Sequence, residues 1–329
     1  MATLPTQFMK AKSNVEPDKA DKDNAADAHA DVREHLESDP TLKEYGIDTV
    51  LIGSYKRQVS IKRVKDVDVL SKLPDLPDGE DVEDLMDHLI RVLRAAYDEE
   101  GADPRVEPQD SSIKVNFPDF DMHVDVVPAR PAGDCLEIPD REGGWMETNP
   151  EELTSLSSEM NVRYNDDYVP VVKLVRQARR AHLGKRPGGL FFEILAYHAF
   201  DEGLDDSSLA ALFTGAVRSI ATQLADVVAG GDVDDPTRPG EVVSVRVTDA
   251  QMQTAAITFA ELAQKAEAAL ADPENCPAAK AYREILGKND DGDWVFEMPA
   301  TCNDDGTPKQ VALITKGDRH VPAGDSRFA

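Results

Sequence analysis

The spacing of apolar residues changes near residue 150, and this change divides the chain into two parts. Before it, apolar runs are short: residues 111–117 alternate apolar and polar side chains, as a half-buried strand does, and residues 47–52 predict a first strand. Beyond it, apolar residues recur at helical spacing, and we predict helices over residues 168–183, 190–200, 206–229, 250–271 and 276–287. The pattern therefore predicts a first part that contains strands and a second part that is helical.

Two helices accompany the strands of the first part. Residues 24–38 predict a helix that ends before Asp39-Pro40, and the apolar spacing over 80–100 predicts an amphipathic helix that packs on the sheet. The predicted fold class is therefore α+β, a mixed sheet with helices followed by a helical lobe. We predict a flexible or leading segment, a sheet lobe, a helical lobe and a C-terminal tail or hairpin packed on the body, at residues 1–22, 23–150, 151–287 and 288–329.

Charge narrows the functions open to the chain. The 329 residues include 63 acidic and 36 basic side chains, a formal net charge of -27. Binding along a nucleic-acid backbone is driven largely by Lys and Arg, so this balance argues against an extended nucleic-acid groove. A nucleotide can still bind through a divalent cation and a local group of basic residues.

The cysteines and the apolar runs bear on the compartment. Cys135, Cys276 and Cys302 are widely spaced and form no C-x-x-C pattern. This predicts a reducing, cytoplasmic location with no disulfide framework and no zinc site. No apolar run reaches the length of a membrane span, and the N-terminus lacks the apolar core of a signal peptide, so we expect no membrane contact.

Two aspartates one residue apart form the first candidate site. Asp66 and Asp68 alternate with valines, so in a strand the two carboxylates share one face. Neighbouring carboxylates repel each other and are costly to desolvate, and a divalent cation removes that cost. Such oxygen ligands suit Mg2+ or Mn2+, and a paired-metal site serves in-line phosphoryl displacement. In a chain this rich in Asp, a chance D-x-D is the competing interpretation.

The order of the surrounding residues is more specific than the aspartates alone. An apolar run ends at Gly53-Ser54, a basic connection follows, and the strand with Asp66 and Asp68 comes next. This stretch, GSYKR…KDVDVL, resembles the signature of the polymerase-β-like nucleotidyltransferase superfamily. It is most similar to the cGAS/DncV-like nucleotidyltransferases, the bacterial CD-NTases, which are related to the 2′-5′-oligoadenylate synthetases.

The resemblance implies how these residues act. Residues 23–150 would be the catalytic lobe, with the active site in the cleft against the helical lobe. Asp66 and Asp68 would bridge two Mg2+ or Mn2+ ions. The backbone of Gly53 and the hydroxyl of Ser54 would hold the β- and γ-phosphates of a nucleotide, because a glycine lets a phosphate approach the backbone closely.

A third carboxylate is predicted on the strand over 121–127, DMHVDVV. Its polar side chains, Asp121, His123 and Asp125, share one face, and Pro118-Asp119 predicts a hairpin with the strand before it. The family pattern places an Asp before Val-Pro, which selects Asp125 as the third metal ligand and catalytic carboxylate. We interpret Asp121 and His123 as the solvent-facing half of an edge strand.

A polar stripe on the helix over 168–183 is the candidate phosphate-binding face. Its members fall at helical spacing, and they are Lys173, Arg176, Gln177 and Arg180. A solvated face and a face lining the cleft are both open. In the family a Lys at this place reaches nucleotide phosphates, and the resemblance carries that role to Lys173.

Further candidates for nucleotide binding match the family pattern less closely. Many relatives have a Lys-Ser pair where this chain has Gly188-Gly189, so the hydroxyl is absent, although the backbone N–H of Gly189 at a helix start can still face an anion. Arg57 and Arg63 in the basic connection are candidate neutralisers of phosphate charge.

The resemblance implies a cyclic-oligonucleotide synthase. Bacterial members of the branch join nucleoside triphosphates, ATP among them, into cyclic di- or trinucleotide signals with release of pyrophosphate. The signals activate an effector in antiphage defence (CBASS), and some members need an activating protein partner. Neither the bases, the linkage nor the ring size follows from the residues.

Three alternatives stay open at this point. The same aspartates would serve a linear oligonucleotide product, or transfer to a tRNA or protein acceptor, although the acidic charge counts against tRNA. A catalytically inactive nucleotide-binding module is the third. Near the C-terminus, Arg319, His320 and Arg327 are candidate partner contacts.

Overall fold

The computed structural model describes residues 2–140 and 142–310. A mixed β-sheet with helices forms the first part of the chain and a group of helices forms the second. The predicted α+β class is therefore confirmed. The candidate partner contacts at Arg319, His320 and Arg327 lie outside the described residues.

The elements follow the predicted order along the chain. The helices are α1 (Pro5–Val15), α2 (Lys19–Ser38), α3 (Pro40–Glu44), α4 (Gly53–Lys56), α5 (Val82–Tyr97), α6 (Pro150–Arg163), α7 (Tyr168–Leu183), α8 (Gly189–Asp201), α9 (Leu209–Val228), α10 (Asp249–Ala271) and α11 (Asn275–Leu286). The strands are β1 (Asp48–Ile52), β2 (Asp66–Lys72), β3 (Val106–Pro108), β4 (Ile113–Phe117), β5 (Met122–Ala132), β6 (Cys135–Pro139) and β7 (Trp145–Thr148).

The sheet has one parallel strand pair at its centre. Its order is β1-β2-β5-β4-β3, with β6 and β7 continuing from β5. Strands β2 and β5 are parallel, and the other pairs are antiparallel. The predicted hairpin of β4 and β5 is confirmed, with a short 3-10 turn at Pro118–Phe120 between the strands.

One face of the sheet packs against α2 and α5. The valines of the two central strands are fully buried there, namely Val67, Val69, Val124 and Val126. Burying a Val or Leu side chain contributes about 1.5–3 kcal/mol, and a register slip of one residue would turn these side chains outward. The buried face therefore fixes which residues of β2 and β5 point to the opposite face.

The second core lies among α7–α11, and α1 belongs to it. The Phe8 ring of α1 lies 6.1 Å from Phe213, 4.9 Å from Tyr282 and 5.1 Å from Phe296, centroid to centroid. The leading segment, residues 1–22, therefore contains a helix that packs on the far end of the chain rather than on the sheet that follows it.

The prediction of no disulfide was wrong. Cys276 at the start of α11 and Cys302 form a disulfide, with their Cα atoms 5.4 Å apart. The partners are 26 residues apart in sequence and meet because the segment after α11 folds back on that helix, which no local cysteine motif signals. Cys135 is a free cysteine.

The C-terminal segment over 287–310 packs on the helical lobe. Val295 and Phe296 are fully buried in the second core, and the Gln177 amide donates to the carbonyls of Leu286 and Lys288. Within the described ranges, no helix is both long enough and apolar enough to cross a membrane.

Candidate active site

The three predicted carboxylates lie on one face of the two central strands. Asp68 on β2 is the register neighbour of Asp125 on β5, and Asp66 is the neighbour of His123. Because the valines between them fill the core on the other face, these polar side chains are turned away from it. Two separate segments of the chain thus form one acidic surface, which we call the acidic floor (Asp66, Asp68 and Asp125).

The acidic floor disfavours the charged form of Asp68. Burial, together with the neighbouring carboxylates of Asp66 and Asp125, raises the pKa of Asp68 to about 7, while Arg57 and His123 oppose the shift. A carboxylate held in this way gains when a cation arrives.

Asp125 carries a buried oxygen without a partner. Its Oδ1 atom has no hydrogen-bond partner among the described residues, while Oδ2 lies 3.5 Å from Nε2 of His123. An unsatisfied buried acceptor costs about 1–3 kcal/mol, and a bound cation would remove that cost. These carboxylate oxygens therefore fit Mg2+ or Mn2+.

The acidic floor does not form a complete metal cage by itself. Among the described residues, no group of three His, Cys, Asp or Glu side chains has the arrangement of a ready metal site. An incomplete set of protein ligands is common for Mg2+, which usually keeps several waters and takes its remaining ligands from substrate phosphates.

The backbone of Gly53 lies directly against the side chain of Asp68. Its φ is +72°, and a Cβ at this position would lie 1.8 Å from Oδ2 of Asp68. Both the backbone conformation and the space therefore require glycine. The next side chain, Ser54, is buried, and its hydroxyl lies 3.0 Å from the hydroxyl of Ser60.

An open cleft of ≈ 390 Å³ lies between the acidic floor and the helical lobe. Its sheet-side residues include Gly53, Ser54, Asp66 and Asp68, and its helical-side residues include Leu153, Arg176, Gly189, Leu190 and Ile194. This volume is within the range of small-molecule sites, about 300–1,000 Å³.

A second cavity of ≈ 770 Å³ adjoins the cleft and shares Ser54, Asp66, Arg176 and Gly189 with it. We call it the cationic pocket because seven basic residues line it: Arg63, Lys65, Arg176, Arg179, Arg180, Lys185 and Arg186. Burial and the guanidinium groups of its neighbours lower the pKa of Arg179 to about 10. In a chain with a net charge of -27, such crowding of cations indicates an anion-binding site.

Arg176 belongs to the predicted polar stripe, but the sequence analysis gave the phosphate-binding role to Lys173 instead. It lines both cavities, and its Nε is buried and has no hydrogen-bond partner in the part of the chain that the structure describes. A Cβ at Gly189 would lie 3.0 Å from its guanidinium carbon, so the glycine that replaces the relatives' Ser leaves room for this arginine. The available signal was its place on the predicted polar stripe, one turn after Lys173.

Arg57 joins the two lobes. Its Nε donates to Oε1 of Glu193 at 2.5 Å and a second nitrogen donates to Oε2 at 3.1 Å, and both side chains are buried. Arg176 approaches the same carboxylate at 3.4 Å. Arg57 also lines the cleft, so it can act on the site through its charge, but its fork is engaged by Glu193.

Three other polar residues of the sequence analysis lie away from the cleft. Lys173 is 4% exposed and its Nζ donates to Oε1 of Glu16 at 2.6 Å, in a separate cavity. Arg63 lies at the rim of the cationic pocket, 2.7 Å from Asp291. Asp121 is exposed and pairs with Lys65.

Comparisons with known proteins agree with this fold. Residues 1–161 match the family model of the Second Messenger Oligonucleotide or Dinucleotide Synthetase domain. A curated relative from an Acinetobacter species, named cyclic AMP-AMP-AMP synthase, is 28% identical over 299 residues, which are 87% of this chain and 84% of the relative.

Solved structures of similar fold cover most of the chain. The Escherichia coli MS115-1 CdnC:HORMA-deltaN complex matches with a TM-score of 0.67 and 17% identity, over 90% of this chain and 99% of that one. The Bradyrhizobium diazoefficiens CD-NTase CdnG in complex with GTP matches with a TM-score of 0.65 and 18% identity, over 85% and 95%.

Fold and family model together define a nucleotidyltransferase of the polymerase-β-like type with a helical second lobe. These matches support the predicted CD-NTase family: residues 1–161 match a domain of second-messenger oligonucleotide or dinucleotide synthetases, and most of the chain is similar to a curated cyclic-nucleotide synthase and to solved CD-NTases.

Proposed function

We propose that the chain joins nucleoside triphosphates into a cyclic oligonucleotide and releases pyrophosphate, with Asp66, Asp68 and Asp125 as the catalytic carboxylates. The observation that carries the proposal is the acidic floor: Asp68 and Asp125 are register neighbours, and Asp66 and Asp68 line a cleft that has Arg176 on its helical side and adjoins the cationic pocket. Opposite charges on the two walls suit a substrate that is itself a metal–phosphate complex.

Asp66, Asp68 and Asp125 would hold two Mg2+ or Mn2+ ions. When bound, such ions neutralise phosphate charge and make a ribose hydroxyl more acidic. The unpartnered Oδ1 of Asp125 is the atom available on the β5 side, either as a ligand or to accept a proton from the attacking hydroxyl.

The triphosphate would lie across the Gly53-Ser54 turn, with its tail toward the cationic pocket. Absence of a side chain at Gly53 keeps the backbone accessible, and Arg176 can donate from the helical wall. Arg63, Arg179 and Arg186 would neutralise charge on the tail and on the departing pyrophosphate, while Gly189 keeps the path beside Arg176 open.

The name of the curated relative supports ATP as a substrate and a trinucleotide product. The solved complex of CdnC with HORMA-deltaN supports a protein partner, and we propose that such a partner activates this chain. By family, the product would signal to an effector in antiphage defence, and the enzyme would work in the cytoplasm.

The test is product analysis. The purified chain is incubated with all four nucleoside triphosphates and Mg2+ or Mn2+, the products are treated with phosphatase, and their masses are measured. We expect a phosphatase-resistant cyclic oligonucleotide that contains adenosine. Phosphatase-sensitive linear oligomers would contradict cyclisation, and metal-independent turnover would contradict the acidic floor as the reaction site.

A further inference from the structure

A third cavity lies on the other side of α4 from the cleft. Its volume is ≈ 470 Å³, and we call it the lysine pocket. Its lining residues are Glu16, Pro17, Lys22, Leu51, Tyr55, Lys56, Gln58, Ser60 and Lys173. It shares no lining residue with the cleft and only Ser60 with the cationic pocket, so it is a separate site.

Positive charge dominates the lysine pocket. It contains three ammonium groups and one carboxylate, and that carboxylate, Glu16, lies 2.6 Å from Lys173 and 4.0 Å from Lys22. The Lys56 ammonium forms no ion pair with any described residue. A net charge of this sign is unexpected in a chain with 63 acidic and 36 basic residues.

The deepest of these ammonium groups is held in a costly place. Lys173 is 4% exposed, and burial lowers its pKa even though Glu16 opposes the shift. Lys12 and Lys22 add further positive charge near it. An anion in the pocket would stabilise all of these charges together.

The other lining groups suit a ligand with a flat ring. Tyr55, Pro17 and Leu51 offer apolar surface, and the Gln58 side-chain amide makes no hydrogen bond to the described part of the chain. Lysine binds phosphate as a point charge, and among the described residues no arginine lines the pocket to bind a planar carboxylate with two hydrogen bonds. Several lysines beside an aromatic surface therefore favour a phosphorylated molecule with a ring over a simple carboxylate.

We propose that the lysine pocket binds a nucleoside diphosphate or a similar ring-bearing phosphate, at a regulatory site separate from the catalytic cleft. The connection is α4: Tyr55 and Lys56 line the lysine pocket, while Gly53 and Ser54 of the same short helix line the cleft. A ligand that contacts one side of α4 can therefore change the position of the turn that faces the substrate phosphates.

ADP in the presence of EDTA is the probe, and isothermal titration calorimetry is the measurement. Without divalent cations the acidic floor repels nucleotides from the cleft and, through Asp66, from the adjoining cationic pocket, so the lysine pocket should contribute most of the binding; the Arg176 variant tests for binding in the cationic pocket. We expect one ADP to bind, Lys22→Ala/Lys56→Ala to weaken it about tenfold or more, and Arg176→Ala in the cationic pocket to leave it unchanged. Inorganic pyrophosphate should bind at least about tenfold more weakly than ADP, since it lacks the ring.

Three outcomes would overturn the proposal: no ADP binding, loss of binding in Arg176→Ala but not in the double lysine variant, or equal affinity for pyrophosphate and ADP. Circular dichroism checks that the double lysine variant folds. Lys22 and Lys56 are both exposed, so their replacement should not disturb the core. The variant's basal synthesis with Mg2+ should be retained, because neither lysine lines the cleft. Failure of the regulatory-site proposal, seen as absent ADP binding, can thus be distinguished from failure of the proposed function, seen as absent synthase activity.

Discussion

The acidic floor and the cationic pocket adjoin each other and carry opposite charge. Within each of them, however, like charges lie unfavourably close together. The pKa of Asp68 is raised to about 7 because carboxylates crowd it, and the pKa of Arg179 is lowered to about 10 because guanidinium groups crowd it. In each cluster, burial and the neighbouring like charges disfavour the charged form of that one side chain. A substrate that brings cations to one wall and phosphates to the other relieves both at once.

Neither wall neutralises the other: among the described ion pairs, Arg176 and Arg57 go to Glu193, and Asp66 and Asp68 take part in none. The buried Arg57–Glu193 pair keeps the lobes together without drawing the floor and the pocket into contact. Four residues of the cationic pocket pair with other carboxylates, namely Arg63, Lys65, Arg176 and Arg180. Arg179, Lys185 and Arg186 form no ion pair with a described residue, so their charges, like those of Asp66 and Asp68, stay available for a ligand.

The largest expected effect comes from breaking the floor. Asp66→Asn with Asp68→Asn should lower product formation by about 10³-fold or more, because several kcal/mol of metal-assisted charge stabilisation are lost. Product is measured by mass spectrometry and folding by circular dichroism. Asp121→Asn is the matched control, since Asp121 is exposed and pairs with Lys65, and it should be mild. Retained turnover in the double variant would remove the metal site from the mechanism.

Breaking the opposite wall should have the next largest effect. Arg176→Ala should lower kcat/KM for nucleoside triphosphate by about 10–100-fold, the size of one charge-assisted hydrogen bond. Steady-state kinetics measures it, and Arg163→Ala, a surface arginine that pairs with Asp201 outside the cleft, is the control. Equal kinetics for the two variants would mean that the cationic wall does not touch the substrate.

The stability of the protein should depend on pH through Asp68. Because the folded pKa of Asp68 is raised to about 7, the metal-free native state holds a proton that the unfolded chain has lost, and its stability falls as pH rises from about 4 to about 7. Mg2+ binds the deprotonated form, so its stabilising effect should grow from about pH 5.5 to about pH 8.

Thermal unfolding with and without Mg2+ measures how the stabilising effect of Mg2+ increases with pH. Asp68→Asn is the control and should show a smaller Mg2+ effect that hardly changes with pH. A larger Mg2+ effect at the lower pH in the unmodified chain would contradict the assignment.

The smallest effect on catalysis is expected at Lys173. Since its ammonium lies in the lysine pocket on Glu16, Lys173→Ala should change KM for nucleoside triphosphate by less than about twofold while lowering stability by about 1–3 kcal/mol. Kinetics and thermal unfolding separate the two. A rise in KM with kcat preserved would favour the phosphate-binding role that the family resemblance implies for this lysine.

Local patterns predicted the acidic floor well. The D-x-D alternation and the h-D-h strand each specify which face a carboxylate takes, and a hairpin over Pro118–Phe120 aligns β4 with β5. The parallel pairing that sets Asp68 beside Asp125 needed the resemblance as well, because β2 and β5 are separated by α5 and two strands.

Contacts between distant segments could not be read in the same way. Helical spacing put Lys173 and Arg176 on one stripe, but it does not say that the first faces Glu16 of the leading segment and the second faces the cleft. The disulfide of Cys276 and the burial of α1 likewise depend on the segment after α11. In each case the deciding partner lies far away in sequence.

The position of α1 also sets an order for folding during synthesis. Phe8 leaves the ribosome first, but its ring partners include Tyr282 and Phe296, near the other end of the described chain. At about 5–20 residues per second, α1 waits on the order of 15–60 s for the surface that covers it. The sheet lobe, whose core needs nothing beyond β7, can complete its packing on the ribosome while the first helix of the chain is still exposed.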